Sequence, residues 1–288
     1  MASAENLPTL DCAVVGVGDL GTSLCRKILE TTDWKVTGVT RSTTRHEEIR
    51  RSMPSDHLHR FTLTTRGEMP SDQKYTNVVF CAPPLGPEDY AEVITDAGEN
   101  IWVGNKGGGI FCLTSSGGVY ATESDVVTED TPIDEITPRV ERLMKGENAC
   151  SKLGGFSLRL GALYKLERGA HTLYLQSGYD EIPGNKHGVV NLLHYDDAAA
   201  ACLAAIKAGP VVCQNKVFLI SDANPLTRKK ICDIALKCPR FESCQMPTFV
   251  DDKNLPGKRY DGSASNAALD WKPRFPSFES FMEKYILQ

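Results

Sequence analysis

Three closely spaced glycines near the start of the chain constrain its fold more than any other feature. They form the run Gly16-Val-Gly-Asp-Leu-Gly21, which directly follows a short apolar segment of strand length at residues 13–15. After the glycines, Leu20, Leu24 and Ile28 recur at the spacing of a helix with one buried face. A strand, a glycine-rich turn and a helix in this order predict an α/β fold with parallel strands.

The spacing of these glycines has a chemical use. The first glycine allows a tight turn, the second lets the backbone approach a phosphate group, and the third lets the helix pack closely on the strand. Backbone N–H groups at the start of the helix then face the anion. The motif predicts a dinucleotide site, and an ordinary tight turn is the alternative. The residues expected to bind the dinucleotide here are Gly16, Gly18, Asp19, Leu20 and Gly21.

Charge and hydropathy exclude several classes of protein. The chain has 288 residues, of which 41% are hydrophobic, and a formal net charge of −5. Overall charge therefore attracts neither nucleic acid nor an anionic membrane, and we expect neither as a partner. A basic run at residues 41–51 lacks interleaved aromatic side chains and is interpreted as a phosphate-binding edge and solvated surface. Residues 1–10 lack the features of a secretory signal, and no apolar run is long enough to cross a bilayer, so we expect a cytoplasmic protein.

Ten cysteines are spread along the chain, but their spacing matches neither a disulfide framework nor a zinc site. None forms a C-x-x-C pair, and most lie in apolar segments where cysteine acts as a small hydrophobic residue. This usage favours a protein whose cysteines are reduced. Cys238 and Cys244 lie nearest to a loop and are the one pair to examine for a bond. His194, Asp196 and Asp197 could suggest a metal site, but no further ligands occur at a recognisable spacing. We therefore expect these three residues to cap and pack, and no metal to bind.

Candidate strands and helices alternate through the first half of the sequence. Strands are predicted at residues 13–15, 34–40, 61–64, 77–81, 109–114, 157–160 and 216–220. Helices are predicted after the glycines and at 88–97, 194–209, 227–238 and 276–287, with Gly209 and Pro210 ending the second of these four. The pattern predicts a Rossmann-like α/β fold, a doubly wound parallel sheet with helices on both faces and a smaller C-terminal substrate lobe. Residues 1–155 would form the NAD(P)-binding domain, and residues 156–288 would complete the sheet and form the substrate lobe.

The end of the second strand bears on which dinucleotide would bind. NAD-binding proteins of this fold commonly place an acidic residue about 20 residues after the glycines, where it holds the ribose 2′-hydroxyl. Here the strand ends in Arg41, Ser42 and Arg45, with no carboxylate among them. Guanidinium and hydroxyl groups suit a 2′-phosphate, which arginine binds through paired, charged hydrogen bonds. We therefore expect NADP in preference to NAD; the alternative is that Arg41 is a solvated charge at a strand end.

Further segments follow the glycine motif in a recognisable order. They are Phe80-Cys-Ala-Pro-Pro84, Thr114-Ser-Ser-Gly-Gly-Val-Tyr120, Leu158-Arg-Leu-Gly-Ala-Leu-Tyr164, Asn191-Leu-Leu-His-Tyr-Asp-Asp197, Gly257-Lys-Arg-Tyr260 and Ala267-Ala-Leu-Asp-Trp-Lys-Pro273. With them, nearly the whole chain resembles the short-chain dehydrogenase/reductase superfamily, in particular its atypical members related to the extended, NAD-dependent epimerases and dehydratases. The resemblance implies that Ser116 is the active-site serine. It also implies that six residues border the cofactor: Cys81, Ala82, Pro83, Thr114, Ser115 and Gly161.

One departure from the family pattern affects the chemistry. The family uses a tyrosine four residues before a lysine; the tyrosine transfers a proton, and the lysine lowers the tyrosine's pKa and holds the ribose. The matching stretch, Thr137-Pro-Arg-Val-Glu-Arg-Leu143, has Pro138 at the tyrosine and Arg142 at the lysine. Proline suits a helix start but cannot transfer a proton, whereas Arg142 can still contact ribose or phosphate. Tyr120 and Tyr164 are the nearest replacements, with packing in the core as the alternative for both.

The sequence therefore predicts an NADP-dependent oxidoreductase or epimerase-like protein that acts on a carbonyl or secondary alcohol of a small molecule. Its candidate catalytic residues are Ser116, Tyr164 and Arg142, although Ser116 could instead satisfy backbone groups at a strand end. One alternative is a regulatory or assembly protein that binds NAD(P) without catalysis, which the replacement by Pro138 motivates. Another is a nucleotide-sugar epimerase or dehydratase. The resemblance also implies a homodimer.

Overall fold

The computed structural model describes residues 11–85, 89–120, 126–133, 137–176, 178–179, 181–250 and 257–286. Three sequence predictions lie outside these residues: the absence of a signal in residues 1–10, the helix start at residue 88 and the helix end at residue 287. In the described part of the chain, no helix is long and apolar enough to span a membrane.

Seven strands form the central parallel sheet, which confirms the predicted Rossmann-like fold. They are β1 (Asp11–Val15), β2 (Lys35–Thr40), β3 (Phe61–Thr65), β4 (Asn77–Phe80), β5 (Phe111–Ser116), β6 (Phe156–Leu160) and β7 (Val217–Ile220). Across the sheet their order is β7-β6-β5-β4-β1-β2-β3. The chain leaves β1 for β2 on one side and later returns to β4 on the other, so the strand order reverses between β1 and β4.

Helices and shorter segments complete the described architecture. The helices are α1 (Asp19–Thr31), α2 (His46–Arg51), α3 (Tyr90–Ile101), α4 (Pro138–Lys152), α5 (Ala170–Gln176), α6 (Tyr195–Cys213), α7 (Arg228–Ala235), α8 (Ser263–Ala268) and α9 (Phe278–Ile286). Short strands pair outside the sheet: Val126–Val127 with Arg259–Tyr260, Ala162–Tyr164 with Leu192–His194, Glu181–Pro183 with Thr248–Val250, and Val189–Val190 with Leu226–Thr227. Short 3-10 segments lie at Ser55–Arg60, Arg66–Glu68, Asn105–Gly107, Gly117–Val119 and Pro239–Phe241.

His194 and Gly209 mark the two ends of the long part of helix α6. At its start, the ring Nδ1 of His194 accepts a hydrogen bond of 3.1 Å from the backbone N–H of Asp196, so the histidine acts as a cap. At its end, Gly209 has φ of 75° and ψ of 179°, a non-helical conformation that interrupts the helix where the sequence predicts its end. Pro210 begins a further short helical segment that reaches Cys213, and its missing N–H is not needed at that position.

The chain divides into two compact units that take alternating segments. Unit 1 comprises Met1–Thr114, Arg142–Ser157 and Ala199–Val217, and unit 2 comprises Ser115–Glu141, Leu158–Ala198 and Phe218–Gln288. The chain passes from unit 1 to unit 2 between residues 157 and 158, which is two residues after the domain boundary predicted between residues 155 and 156.

Unit 1 has a core of mixed aliphatic and aromatic side chains. Its strands are nearly continuous apolar runs because both faces of a parallel sheet are covered; Ala13, Val78 and Phe111 are completely buried. The guanidinium of Arg60 stabilises the end of α1 and the residues that follow it, because it donates to the backbone oxygens of Leu29, Thr32 and Trp34 at 2.6–3.2 Å. Arg60 therefore has a structural role.

The core of unit 2 is rich in aromatic rings. Tyr164, Phe278 and Phe281 meet edge to face, with ring centres 5.1–5.4 Å apart. All ten cysteines of the chain are free, and eight of them are buried. Cys238 and Cys244 pack into this aromatic core without a bond between them.

Candidate functional site

A cleft of about 450 Å³ lies within unit 1, where β1, β2 and β4 end. Its wall includes Gly16 and Gly18 after β1, and Cys81, Ala82 and Pro83 after β4. In open sheets of this kind, ligands bind outside the carboxyl ends of the strands where the strand order reverses. Because β1 and β4 are the strands at that reversal, the cleft lies where the fold places a cofactor.

The three glycines of the first motif have different roles in this cleft. Gly16 has φ of +92°, and a β-carbon on it would lie 2.4 Å from the backbone nitrogen of Ala82. A β-carbon on Gly21 would lie 2.4 Å from the carbonyl oxygen of Gly16, so α1 packs directly on the turn. A β-carbon on Gly18 would meet nothing within 4 Å. Gly16 and Gly21 therefore allow close packing, whereas Gly18 leaves open space beside the backbone.

This arrangement fits the pyrophosphate of a dinucleotide. Gly18 precedes α1 and offers no side-chain cap, so the first N–H groups of the helix, from Asp19 to Gly21, have no partner within the helix. The partial positive charge of a helix start favours an anion at that point. The side chain of Leu20 and the whole of Gly21 are buried against the core, so these two residues can contact a ligand only through their backbone.

Among the residues that the structure describes, four arginines and no acidic side chain line the cleft. The arginines are Arg41, Arg45, Arg66 and Arg142. Arg41 is exposed, and it pairs with no carboxylate in the described chain. Arg45 is held by Glu48, which accepts hydrogen bonds from its Nε at 2.9 Å and its Nη2 at 2.6 Å. Arg66 forms an ion pair with Asp96. Arg41 is therefore the least committed of the cations after β2, with Ser42 beside it in the wall.

Helices α3 and α4 both contribute to the wall: Tyr90 of α3 was not predicted from the sequence, whereas Arg142 of α4 was. Tyr90, the first residue of α3, lines the cleft, and its hydroxyl donates to the carbonyl oxygen of Ala82 at 3.0 Å. Its ring lies against Gly146 of α4, where a β-carbon would lie 2.7 Å from Cε1. Arg142 enters the wall one turn earlier on α4. One feature of the sequence could have identified Tyr90. It lies in the first turn of the helix that follows β4, and that helix begins at the edge of the sheet where the strands end and the cleft lies.

Three residues that the family resemblance implied for the cofactor do not line the cleft. The hydroxyl of Thr114 donates to the carbonyl oxygen of Phe80 at 3.2 Å, and Ser115 is buried. In unit 2, the backbone N–H of Gly161 donates to Ile220 at 2.8 Å. The structure thus gives these residues roles in packing and in the hydrogen bonding of the sheet.

A second depression, of about 560 Å³ and more open, runs along α3 and α4 within unit 1. Charged side chains of both signs line it, among them Asp96, Glu99, Lys145 and Lys152. These chains are exposed or half-buried, so they do not form a fixed set of polar groups for a ligand. The cleft with the glycines is therefore the better candidate for the cofactor.

Ser116 ends β5 and begins a tight turn in unit 2. Its hydroxyl accepts a hydrogen bond of 3.1 Å from the backbone N–H of Gly118, and the side chain is half-buried. This bond is the backbone role that we considered as the alternative for the serine. The oxygen has a second lone pair and a donor proton, so this bond leaves it able to contact a substrate.

Tyr120, one of the two candidate replacements for the missing tyrosine, is completely buried. Its hydroxyl accepts from Arg159 at 2.7 Å and donates to the carbonyl oxygen of Glu129 at 3.2 Å. The guanidinium of Arg159 also lies 4.9 Å from the centre of the tyrosine ring. Both hydrogen-bonding capacities of the hydroxyl are therefore used inside the protein.

Tyr164, which we expected to be catalytic, is also completely buried. It packs edge to face on His194 and Phe278, with ring centres 5.3 and 5.1 Å away, and no described group bonds its hydroxyl. Burial raises the pKa of Tyr164 far above its ordinary value. A hydroxyl enclosed by aromatic rings cannot reach a substrate, so we correct this assignment and treat Tyr164 as a core residue.

Asp197, near the start of α6, has a structural role. The carboxylate of Asp197 accepts from the backbone N–H groups of Arg274 and Phe275 at 2.8 and 3.0 Å.

Helix α4 begins at Pro138 as predicted, and the hydroxyl of Thr137 accepts from the N–H of Val140 at 3.2 Å. Among the described residues, no group of three or more histidine, cysteine or acidic side chains could hold a metal ion.

Comparisons with known proteins support the fold. No protein-family model and no curated protein matches the sequence. The structure is similar to UDP-glucuronic acid 4-epimerase from Bacillus cereus in complex with NAD, with a TM-score of 0.74 and 18% identity over 97% of this chain and 99% of the other. It is also similar to dTDP-glucose 4,6-dehydratase from Bacillus anthracis in complex with NAD, with a TM-score of 0.69 and 15% identity over 96% of each chain.

UDP-glucose 4-epimerase from Thermotoga maritima is a third structural neighbour, with a TM-score of 0.67 and 14% identity over 96% of this chain and 98% of the other. The neighbours are NAD-dependent epimerases and dehydratases related to the short-chain dehydrogenases, as the sequence motifs indicated. At these identities the likeness establishes the fold.

Proposed function

We propose that this chain binds NADP in the cleft of unit 1 and transfers hydride to or from the carbonyl or secondary alcohol of a small molecule. The observation that carries the proposal is the composition of the cleft wall. Gly16 and Gly18 provide a turn and open space beside a helix start, and the described part of the wall holds four arginines and no acidic residue. A phosphate-rich dinucleotide matches both features.

Each part of the wall has a role toward this cofactor. The backbone at Gly18 and the start of α1 would hold the pyrophosphate. Arg41 and Ser42 would bind a 2′-phosphate, with Arg45 nearby but held by Glu48. Arg142 would contact ribose or phosphate from α4. The bound cofactor would supply or accept hydride at the nicotinamide ring.

The structural neighbours bear on both the cofactor and the substrate. Two of those described above hold NAD, whereas the end of β2 in this chain has arginine where NAD-binding proteins of this fold commonly have a carboxylate. This difference favours NADP. The neighbours include enzymes of UDP- and dTDP-sugars, so nucleotide sugars are the substrate class that we propose to test first.

A second candidate function is that of a regulatory protein that binds NADP without turnover. It is favoured by Pro138 at the family's tyrosine position and by the internal roles of Tyr120 and Tyr164. The two functions share the cleft and differ in whether a proton-transfer group exists.

The cofactor proposal is tested by titrating the purified protein with NADPH and NADH and following the fluorescence of the reduced nicotinamide. We expect NADPH to bind at least about tenfold more tightly than NADH. Arg41→Ala should weaken NADPH by about 10- to 100-fold and leave NADH unchanged, because it removes one charge-assisted contact to the 2′-phosphate. Arg51→Ala is the matched control, since Arg51 pairs with Glu47 and does not line the cleft. Equal affinities for the two cofactors would refute the preference for NADP.

Turnover is tested with UDP-glucose and UDP-glucuronic acid, with the sugar followed by NMR in the presence of NADP or NADPH. Conversion of either sugar that falls at least about tenfold in Ser116→Ala would support the enzyme. Cofactor binding without conversion of these sugars or of a panel of carbonyl compounds would instead support the regulatory protein.

We also propose a homodimer in the cytoplasm. The ten unbonded cysteines favour a reducing compartment. Sedimentation velocity tests the dimer directly, and a single species with the mass of one chain would exclude it.

A further inference from the structure

The loop that follows β4 forms one side of the cleft in unit 1. Cys81, Ala82 and Pro83 of this loop line the cleft, and the backbone N–H of Cys81 donates to the carbonyl oxygen of Val15 at 2.7 Å. Beyond Ala82 the chain runs through two prolines, which have no N–H to donate. Hydrogen bonds that hold this stretch in place therefore depend largely on its carbonyl oxygens.

The middle residue of this loop, Ala82, lies directly against the glycine turn. A β-carbon on Gly16 would be 2.4 Å from the backbone nitrogen of Ala82 and 2.6 Å from its Cα. The carbonyl oxygen of Gly16 in turn accepts from the N–H of Gly18 at 3.0 Å, in the backbone that would hold the pyrophosphate. A displacement of Ala82 therefore changes the shape of the cleft beside the proposed pyrophosphate site.

Tyr90 holds the same alanine from its carbonyl side. The hydroxyl of Tyr90 donates to the carbonyl oxygen of Ala82 at 3.0 Å. Two contacts fix the tyrosine ring: it meets Phe80 edge to face with centres 6.0 Å apart, and a β-carbon on Gly146 would lie 2.7 Å from Cε1. The side chain is only 6% exposed, so the hydroxyl reaches Ala82 from a ring that has little freedom to move.

The electrostatic surroundings of Tyr90 keep its hydroxyl a donor. Burial raises the pKa of Tyr90 far above its ordinary value, and nearby Cys81 raises it further, whereas the positive charge of Arg142 lowers it. The phenol therefore stays protonated at any pH used to measure cofactor binding. Its hydrogen bond to Ala82 is a constant feature of the cleft in this range.

We propose that Tyr90 is a positioning residue of the cofactor site, whose hydroxyl holds Ala82 against Gly16 and so keeps the cleft in the shape that binds the pyrophosphate. This inference rests on the proposed binding of a dinucleotide, because it assigns a role at that same site. Since NADP and NAD both contain the pyrophosphate, Tyr90 should affect the two cofactors equally. Arg41, by contrast, is expected to affect NADP alone.

The inference is tested with Tyr90→Phe, which keeps the ring between Phe80 and Gly146 and removes only the hydroxyl. Affinities for NADPH and NADH are measured by the fluorescence of the reduced nicotinamide. We expect both affinities to fall by about two- to fivefold and by the same factor. The reason is that a loop that leaves Gly16 more often lowers the population that is competent to bind.

Tyr75→Phe is the matched control for this variant. Tyr75 belongs to the same hydrophobic cluster of unit 1 and is 4% exposed, but it does not line the cleft. Removal of its hydroxyl should lower the Tm and leave both affinities within about 1.5-fold of the wild-type values. A loss of affinity that merely followed a loss of stability would appear in both variants.

A second readout needs no cofactor. Cys81 is half-buried in the wall of the cleft, directly before Ala82, so the reactivity of its thiol reports on the position of the loop. Its reaction with N-ethylmaleimide is followed by peptide mass spectrometry. Cys81 should react about three- to tenfold faster in Tyr90→Phe than in the wild type, because loss of the hydrogen bond raises the open fraction of the loop. In Tyr75→Phe it should react at the wild-type rate.

The outcomes separate this inference from the proposed function. Unchanged affinities in Tyr90→Phe, in a protein whose wild type binds both cofactors, would overturn the role of Tyr90 and leave the cofactor site intact. A loss confined to NADPH, an equal loss in Tyr75→Phe, or an unchanged reaction rate of Cys81 would overturn it as well. Absence of binding of either cofactor to the wild type would refute the proposed function and, with it, the role of Tyr90.

Discussion

The molecule contains two glycine turns at strand ends, and the residues that pack on them come from different distances along the sequence. In unit 1, the turn from Gly16 to Gly21 closes on itself, since a β-carbon on Gly21 would strike the carbonyl of Gly16. In unit 2, the turn at Gly117 is closed by Tyr260, which comes from the far end of the chain. The first turn can be recognised from local spacing, whereas the second depends on contacts between distant segments.

The two units also differ in where their charged and polar side chains lie. The cleft of unit 1 collects arginines at its surface, where water and a ligand can reach them. Unit 2 buries polar groups among aromatic rings, and one oxygen of Asp222 and the hydroxyl of Tyr164 lack partners among the described residues. Unit 1 should therefore respond mainly to ligands, and unit 2 should respond mainly to pH.

The largest effect is expected from breaking the turn in unit 1. Gly21→Ala places a methyl group 2.4 Å from a backbone oxygen that cannot move without displacing the turn. We expect the free energy of unfolding to fall by about 3 kcal/mol and NADPH binding to be lost. Urea unfolding and NADPH fluorescence measure the two effects.

Gly18→Ala is the matched control for this variant, because a β-carbon there meets no protein atom within 4 Å. It should change the free energy of unfolding by no more than about 0.5 kcal/mol and still weaken NADPH by about tenfold, since the methyl group enters the ligand's space. If both variants were equally stable and bound NADPH normally, the cleft would not be the cofactor site.

The next effect tests the buried acid of unit 2. Burial raises the pKa of Asp222 to about 7 from its ordinary 3.8; a hydrogen bond from the N–H of Asn224 opposes this, and the nearby charge of Asp197 adds to it. The folded state therefore favours the protonated acid. Its contribution to stability is fully present below about pH 4 and is lost as pH rises through 7. The difference corresponds to roughly 4 kcal/mol in the free energy of unfolding.

Asp222→Asn should remove this dependence, because asparagine resembles the protonated acid and keeps the oxygen that accepts from Asn224. The variant should match the wild type at pH 4 and exceed it by a few kcal/mol at pH 8, as measured by urea unfolding across pH. Asp261→Asn is a control of opposite sign: Ser263 lowers the pKa of Asp261, so removing that exposed carboxylate should cost stability only above pH 4. Parallel pH profiles for wild type and Asp222→Asn would contradict the assignment.

The smallest effect concerns the arginines of the cleft. Glu48 holds the guanidinium of Arg45 through two hydrogen bonds, so Glu48→Gln should free it for a 2′-phosphate. We expect NADPH to bind about two- to fivefold more tightly, NADH to be unaffected, and stability to fall by less than about 0.5 kcal/mol. Glu47→Gln is the control, since Glu47 pairs with Arg51 outside the cleft. Weaker NADPH binding in Glu48→Gln would instead mean that Glu48 positions Arg45 for the ligand.

Particular residues show which features of the fold and the candidate site could be predicted from the sequence. The glycine motif, the arginines after β2 and the helix start at Pro138 were identified in advance, because each depends on a few neighbouring residues. Tyr164 was misassigned because a tyrosine after a strand has the same local pattern whether it faces a ligand or a core. By contrast, the helix interruption predicted at Gly209 and Pro210 was found, because a glycine with positive φ followed by a proline is a local signal.

The sequence by itself determined the order of strands and helices, the turn that fits a dinucleotide and the proline, Pro138, where the family that the sequence resembles has a tyrosine. These features follow from periodicity and short spacings, which act over one or two turns of backbone. Only the tertiary structure decided that Tyr260 packs on Gly117, that Tyr90 enters the cleft and that Glu48 holds Arg45. The physical reason is that side-chain burial and contact between distant segments depend on how the elements pack, and local pattern does not encode that.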